Sequence, residues 1–207
     1  GLMRLGGGAL LFGTGMAFAW PLFARLPLAT GDAVEDLNLG LWLSRQGVAI
    51  DLDDAALVTS GAAPVESSRA QRSRWEHGFL RTAARQGLPM LLRGIASGSR
   101  LRAALGAHLL IPPLALLMLL SLLGLVVLAA MAAATGLWGP FLLASAALAG
   151  CGTMLLIAWW RFGRSLLPFS ALLRVPFYIA WKIPIYIGFF TRNQKDWNRT
   201  TRDGDRP

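Results

Sequence analysis

Apolar and polar positions keep different rhythms in three stretches of the chain. In residues 1–68 they are mixed. Ala9-Leu10-Leu11-Phe12 is a short apolar run stopped by Gly13-Thr14-Gly15, the pattern of a buried strand entering a tight loop. Val34–Gln46 has helical spacing, with Leu37, Leu41 and Ser44 along one face. Asp32 is placed to cap its start and Gly47 to end it. Val48–Asp51 and Ala56–Thr59 read as short strands. Strands alternating with a helix predict part of an α/β domain. The stretch is short for an independent core of that class.

Residues 69–102 are basic and predicted helical. From Ala103 to Trp160 the chain then carries no Asp, Glu, Lys or Arg. Leu109–Ala133 and Trp138–Trp160 each exceed the ~20 residues that cross a hydrocarbon core, so they predict a transmembrane helical hairpin. Pro112-Pro113 falls near the first helix start, where proline is tolerated. Trp138 and Trp159-Trp160 stand where an aromatic belt would lie. Leu166–Phe190 is also apolar but carries Arg174, Lys182 and three prolines, Pro168, Pro176 and Pro184. It is expected to lie as a helix or broken helix at the interface, with both charges snorkelling to headgroups. A third span is the alternative. The expected organisation is therefore a globular part over 1–78, an amphipathic interfacial segment over 79–106, two transmembrane helices in 107–162, an interfacial or third membrane helix in 163–190, and a polar tail over 191–207.

Composition sharpens the membrane reading. The chain is 55% hydrophobic and 15% charged, with a mean hydropathy of +0.51, which excludes an ordinary soluble globule and a disordered chain. The single cysteine, Cys151, excludes an intramolecular disulfide framework and a cysteine-built zinc site. With only His77 and His108, a multi-histidine metal centre is not expected. The net charge is +9. Eight arginines fall between Arg69 and Arg102, nine Arg or Lys fall between Arg161 and Arg206, and the connection Ala134–Pro140 has none. The positive-inside rule then puts both flanks of the hairpin in the cytoplasm. No base-reading motif stands out, so membrane lipids rather than nucleic acid are the expected partner of the basic charge. Gly6–Trp20 is broken by glycines and makes a poor signal peptide; the chain reads like the middle of a longer protein.

Three groups of residues could carry chemistry. The first is Glu35-Asp36, since a carboxylate can take a proton from an attacking hydroxyl. Acidic residues in a first helical turn also simply complement the helix dipole. The second is Gln71-Arg72-Ser73-Arg74-Trp75. On a helix Gln71, Arg74 and Trp75 share a face, offering an amide, a guanidinium suited to a diphosphate, and a flat indole. A basic interfacial helix anchored by Trp75 is the plainer reading. The third is Gly13-Thr14-Gly15-Met16-Ala17-Phe18, where glycines let backbone approach a ligand. Asp51-Leu52-Asp53-Asp54 has the D-x-D spacing of a carboxylate metal site but reads as a solvated turn. His77 reads as a polar neighbour, His108 as a helix-end residue and Cys151 as a packing residue.

The order of these pieces resembles the C-terminal half of membrane-bound family 2 glycosyltransferases, the cellulose, chitin, hyaluronan and poly-N-acetylglucosamine synthase group. Bacterial exopolysaccharide-type members share Gly-Thr-Gly-Met-Ala-Phe, here residues 13–18, and Arg-Trp-Glu-His-Gly, here 74–78. The similarity spans roughly residues 8–190, and Gln-x-x-Arg-Trp after an acidic pair is its most specific part. The resemblance implies a partial GT-A-type α/β domain over 1–78. It implies an inverting transfer from a nucleotide-sugar donor to a glycan or lipid-linked acceptor at the bacterial cytoplasmic membrane. It makes Asp36 the catalytic base and puts Gln71, Arg74 and Trp75 near the donor diphosphate and acceptor. Gly13, Thr14 and Gly15 become an acceptor-side loop. Arg81–Arg102 becomes an interfacial helix, and other polysaccharide-synthesis subunits become possible partners.

Two departures stand out. Val34 precedes the acidic pair where many members have Thr. The family's nucleotide-binding strands and its D-x-D for Mg²⁺ or Mn²⁺ belong to a half that has no counterpart in residues 1–207. The expectation is a glycosyltransferase part that is inactive alone and binds no metal by itself. A non-catalytic membrane scaffold or assembly subunit of the same shape is the alternative. A transporter component is weaker, because the two spans hold no ionisable pair.

Overall fold

The computed structural model describes residues 2–11, 13–28, 31, 33–53, 55, 56, 58, 59 and 65–191, with side chains over 71–189 in the last stretch. Phe12, Asp32, Asp54, Leu57 and the polar tail from Arg192, each named above in an expected element, lie outside them. Two compact units form: residues 1–112 with 189–207, and residues 113–188.

The first unit is built around α2 (Glu35–Arg45). One face of α2 puts Val34, Leu37 and Leu41 against Met90, Leu105 and Leu109. Another puts Leu39 and Leu43 against Leu26, Val48 and Ile50. Leu41 and Leu43 are each 1% exposed, so this helix is buried on two sides. Ser44, also buried, removes its polarity locally by donating from Oγ to the Leu41 carbonyl at 2.7 Å. Gly47 (φ +77) ends the helix in a Schellman turn, with Val48 N–H donating to Leu43 O and Gly47 N–H to Ser44 O.

The α/β expectation, and with it the partial GT-A-type domain, is overturned: among the described residues there is no strand, and the regular structure is helical. Ala9–Leu11 lies beside Ile50 without regular structure, and one backbone hydrogen bond, Ala9 N to Ile50 O at 2.7 Å, joins them. Gly8 (φ +66) turns the preceding backbone out of the extended region. A sheet needs a repeated ladder, and among the described residues neither run has a second neighbour to supply it. The alternation survives only as packing, with Leu10 turned to one core and Leu11 to the other. A short helix α1 (Trp20–Phe23) precedes α2.

Downstream, α3 (Val65–Thr82) runs through a π-helical turn, Ala83–Gly87, into α4 (Leu88–Ala96). Pro89 accounts for the turn: it has no N–H for the Arg85 carbonyl, and its ring displaces that carbonyl. After Gly98 (φ +65), α5 (Arg100–Leu109) packs back on α4, capped by Ser99 accepting from Arg102 N–H. Two glycines set how close these helices come. A Cβ on Gly94 would lie 2.7 Å from Ala103 Cα, and one on Gly106 2.6 Å from Leu91 Cα.

The second unit holds α6 (Leu114–Thr135), α7 (Gly139–Ala158), α8 (Phe169–Leu172) and most of α9 (Val175–Thr191). The first span starts at Leu114 rather than at Leu109, because Pro112-Pro113 breaks the helix and Pro113 becomes its N-cap. Gly136 (φ +75) closes α6 and returns the chain into α7. Trp159–Gly163 extends α7 as a π turn, with Trp159 Nε1 donating to Leu167 O at 2.9 Å and Arg164 5.0 Å over the Trp160 ring. Two of the three prolines in the last stretch sit where helices begin: Pro168 caps α8 and Pro176 lies in the first turn of α9. Leu114–Thr135, Gly139–Gly163 and Phe169–Phe189 are each long and apolar enough to cross a membrane. Three such helices are compatible with a multi-pass membrane protein. The exposed leucines, isoleucines and phenylalanines in this unit are what a lipid solvent requires.

Gly106→Ala should lower the stability of the detergent-solubilised protein by about 1–3 kcal/mol, because the added carbon meets backbone. Gly124→Ala, where nothing lies within 4 Å of the added carbon, should be neutral or stabilising. Thermal unfolding of the two variants checks this.

Candidate active site

The site begins with a close helix contact. A Cβ on Gly78 would lie 2.7 Å from Val34 Cγ1 and 3.0 Å from Cγ2, so the absent side chain at 78 is what admits Val34. Val34 is buried and immediately precedes α2, and Gly78 is buried in α3. The two helices then run alongside in the same direction. Asn38 Oδ1 accepts from Thr82 Oγ1 at 3.5 Å and from Gln86 Nε2 at 3.3 Å, and Arg45 Nη2 donates to Gln86 Oε1. Arg74 and Trp75 lie one helical turn before Gly78. The Val34 contact therefore brings them to the first turn of α2, where Glu35 and Asp36 are.

The result is a cleft of about 300 Å³ lined by Gly13, Met16, Pro27, Leu28, Ala33, Glu35, Asp36, Leu39, Arg74 and Trp75. Of the residues singled out in the sequence, Gly13, Met16, Glu35, Asp36, Arg74 and Trp75 meet here. Asp36 Oδ1 accepts from Leu37 N–H at 2.8 Å. Its Oδ2 faces the Gly13 backbone: a Cβ on Gly13 would come within 3.6 Å of it. Any larger residue at 13 would fill the space beside that oxygen. Trp75 is 51% exposed and lines the cleft, as does the half-buried Arg74. Glu35, Asp36 and Arg74 thus line a pocket whose other walls are largely apolar.

Thr14, Gly15 and Gln71 do not line the cleft. Gly15 (φ +73) supports the loop instead: a Cβ there would lie 2.9 Å from Val58 Cγ2. Gln71 is half-buried on α3, one turn before Arg74 and Trp75. His77 is buried, its ring edge-on to Phe189 at 5.5 Å. Asp53 Oδ1 accepts from Ala55 N–H at 3.0 Å, the carboxylate of a local turn. Mg²⁺ or Mn²⁺, implied by the family resemblance, finds no group of three His, Cys, Asp or Glu among the described residues to hold it.

Sequence reasoning missed Gly78 and the Pro27-Leu28 wall. The signal for Gly78 was present: a glycine in the middle of a helix, four residues after Arg74, asks for a packing reason. Pro27-Leu28 belongs to a segment without periodicity. No known protein family, curated protein or solved structure matches the chain.

Gly78→Ala should destabilise the protein by about 1–3 kcal/mol through overlap with Val34. Adding Val34→Ala removes the overlapping methyls. The double variant should then be more stable than the sum of the single effects predicts, by about 0.5 kcal/mol or more. Chemical unfolding of the four proteins measures the coupling.

Proposed function

We propose that the cleft carries the acceptor side of an inverting sugar transfer, from a nucleotide-sugar donor to a glycan or lipid-linked acceptor. One observation supports it most: Gly13, Asp36, Arg74 and Trp75, far apart in the chain, line a single cleft. The transfer needs a base, a cation and a flat apolar face at one place, and these side chains are those groups.

Asp36 Oδ2 takes the proton from an acceptor hydroxyl, while Oδ1 stays fixed on Leu37 N–H. The freed oxygen attacks the anomeric carbon of the donor sugar from the face opposite the diphosphate. The new glycosidic C–O bond forms as the bond from that carbon to the diphosphate oxygen breaks. The nucleoside diphosphate leaves with the electron pair, and the configuration inverts. Arg74 offsets the charge that grows on the departing diphosphate. Trp75 lies under the acceptor ring and orients its hydroxyl. The arginines before α6 and the uncharged Ala134–Pro140 connection favour a cytoplasmic placement of the cleft at a bacterial inner membrane, with α6 and α7 as the crossing pair.

In membranes containing the full-length gene product, Asp36→Asn should reduce acceptor-dependent nucleoside-diphosphate release about 10²–10⁴-fold. Trp75→Ala should raise the acceptor KM about tenfold, the scale of one lost aromatic contact. Glu35→Gln should leave release within a few-fold of the parent. Unchanged release by Asp36→Asn would remove the base from the mechanism. A collapse in Glu35→Gln with Asp36→Asn active would move the role to Glu35.

A further inference from the structure

Residues 16–28 supply Met16, Pro27 and Leu28 to the cleft wall, and between these they carry a second aromatic feature. Pro21 in the first turn of α1, and the bonds from Leu22 and Phe23 N–H to Ala19 O at 2.9 Å each, fix that turn. Trp20 stacks on Phe23, with ring centroids 5.6 Å apart and planes at 24°. Phe23 in turn lies 6.3 Å from Phe18, which packs with Leu22 on the core of Leu26, Leu39 and Leu43. The three rings run from that core to the surface, where Trp20 is 74% exposed. Its indole is therefore held flat against one neighbour, with the opposite face to solvent. Arg25 closes the turn, its Nε donating to Pro21 O at 3.2 Å. An apolar plane that is already ordered, with a guanidinium fixed on the same turn, loses little side-chain entropy when a ligand arrives.

We propose that Trp20 is a second sugar subsite, taking a ring of the acceptor beyond the one on Trp75. The proposal rests on the reading of the cleft as an acceptor site, and it makes the acceptor a β-linked oligosaccharide rather than a single lipid-borne sugar. The ligand class follows from shape. A hexopyranose with every substituent equatorial turns axial C–H bonds to each face, an apolar patch that matches an indole plane. Its hydroxyls point outward, to water and to donors such as Arg25. Placement agrees with this. Chain length alone keeps Trp20 within about 14 Å of Met16 on the cleft wall, so a short glycan can engage both places. A stable protein interface uses about 20–30 residues a side, whereas α1 offers a single turn.

The test uses the full-length gene product in detergent, with cellohexaose and chitohexaose as probes and binding read by ligand-observed NMR. The parent should bind at least one hexaose, and Trp20→Ala should weaken that binding about tenfold. Trp20→Tyr keeps a flat ring and should stay within a few-fold of the parent. The matching monosaccharide, held at Trp75 alone, should bind Trp20→Ala and the parent within a few-fold of each other. Equal hexaose affinity in the parent and Trp20→Ala would overturn the proposal. So would a parent that binds neither hexaose, or an equal loss for hexaose and monosaccharide, the mark of a ring that only props the cleft. A fluorophore at Trp20→Cys, in a Cys151→Ala background in phosphatidylcholine–phosphatidylglycerol nanodiscs, separates the other occupants. Aqueous iodide should quench it. Quenching by lipid-borne nitroxide instead would give the face to lipid, and shielding from both would give it to a protein; either result overturns the subsite. Binding needs no turnover. Hexaose binding that depends on Trp20, alongside unchanged release by Asp36→Asn, would leave the subsite standing and remove only the base.

Discussion

Everything proposed for the cleft depends on one van der Waals contact, Val34 against Gly78. The γ-methyls of Val34 occupy the space a side chain at 78 would take. That closeness sets the axial register of α2 on α3. The hydrogen bonds from Thr82 and Gln86 to Asn38 then hold it further along. With the register fixed, the first turn of α2 and the turn of α3 before Gly78 have nowhere to go but side by side. Asp36, Arg74 and Trp75 are what those turns carry. A threonine at 34 would keep the branched shape; a larger residue at 78 would not. The site is thus positioned by apolar packing one turn away from its charged groups.

The rest of the molecule follows from two solvents. In the first unit water forces burial, and the short α2 supplies it on two faces, since no sheet forms among the described residues to do so. The α4–α5 pair adds a second layer only because Gly94 and Gly106 let the backbones approach. In the second unit the exposed apolar side chains need no protein cover, since lipid tails serve. Prolines mark the transitions. Pro113 starts the first span, Pro89 produces the π turn between α3 and α4, and Pro168 and Pro176 begin α8 and α9.

Much of this was legible in the sequence, and the failures have physical causes. The helix over α2, its stop at Gly47 and the apolar spans are strong periodic or compositional signals, set by local chemistry. The strands were misread because a short apolar run such as Ala9–Leu11 looks the same whether it pairs or merely packs. Pairing depends on neighbours that no local pattern reveals. Asp36, Arg74 and Trp75 could be singled out by residue type and spacing, but their convergence could not be derived from spacing alone. It comes from Gly78, whose role is visible only when the two helices are side by side. Thr14, Gly15 and Gln71 share the same motifs yet stay outside the cleft, because a motif names a segment and not the direction each side chain takes.

The most direct test of the account is a disulfide between positions 34 and 78. Val34 Cβ lies 3.4 Å from the position of a Cβ on Gly78, close to the separation a disulfide spans. Val34→Cys with Gly78→Cys, in a Cys151→Ala background, should cross-link efficiently under mild oxidation in native membranes. The product should resist cleavage of the intervening loop, leaving both halves joined until reduced. If the two cysteines stay reduced while the protein is folded, α2 and α3 do not meet at this register. The cleft, and the sugar transfer proposed for it, would then have no structural basis.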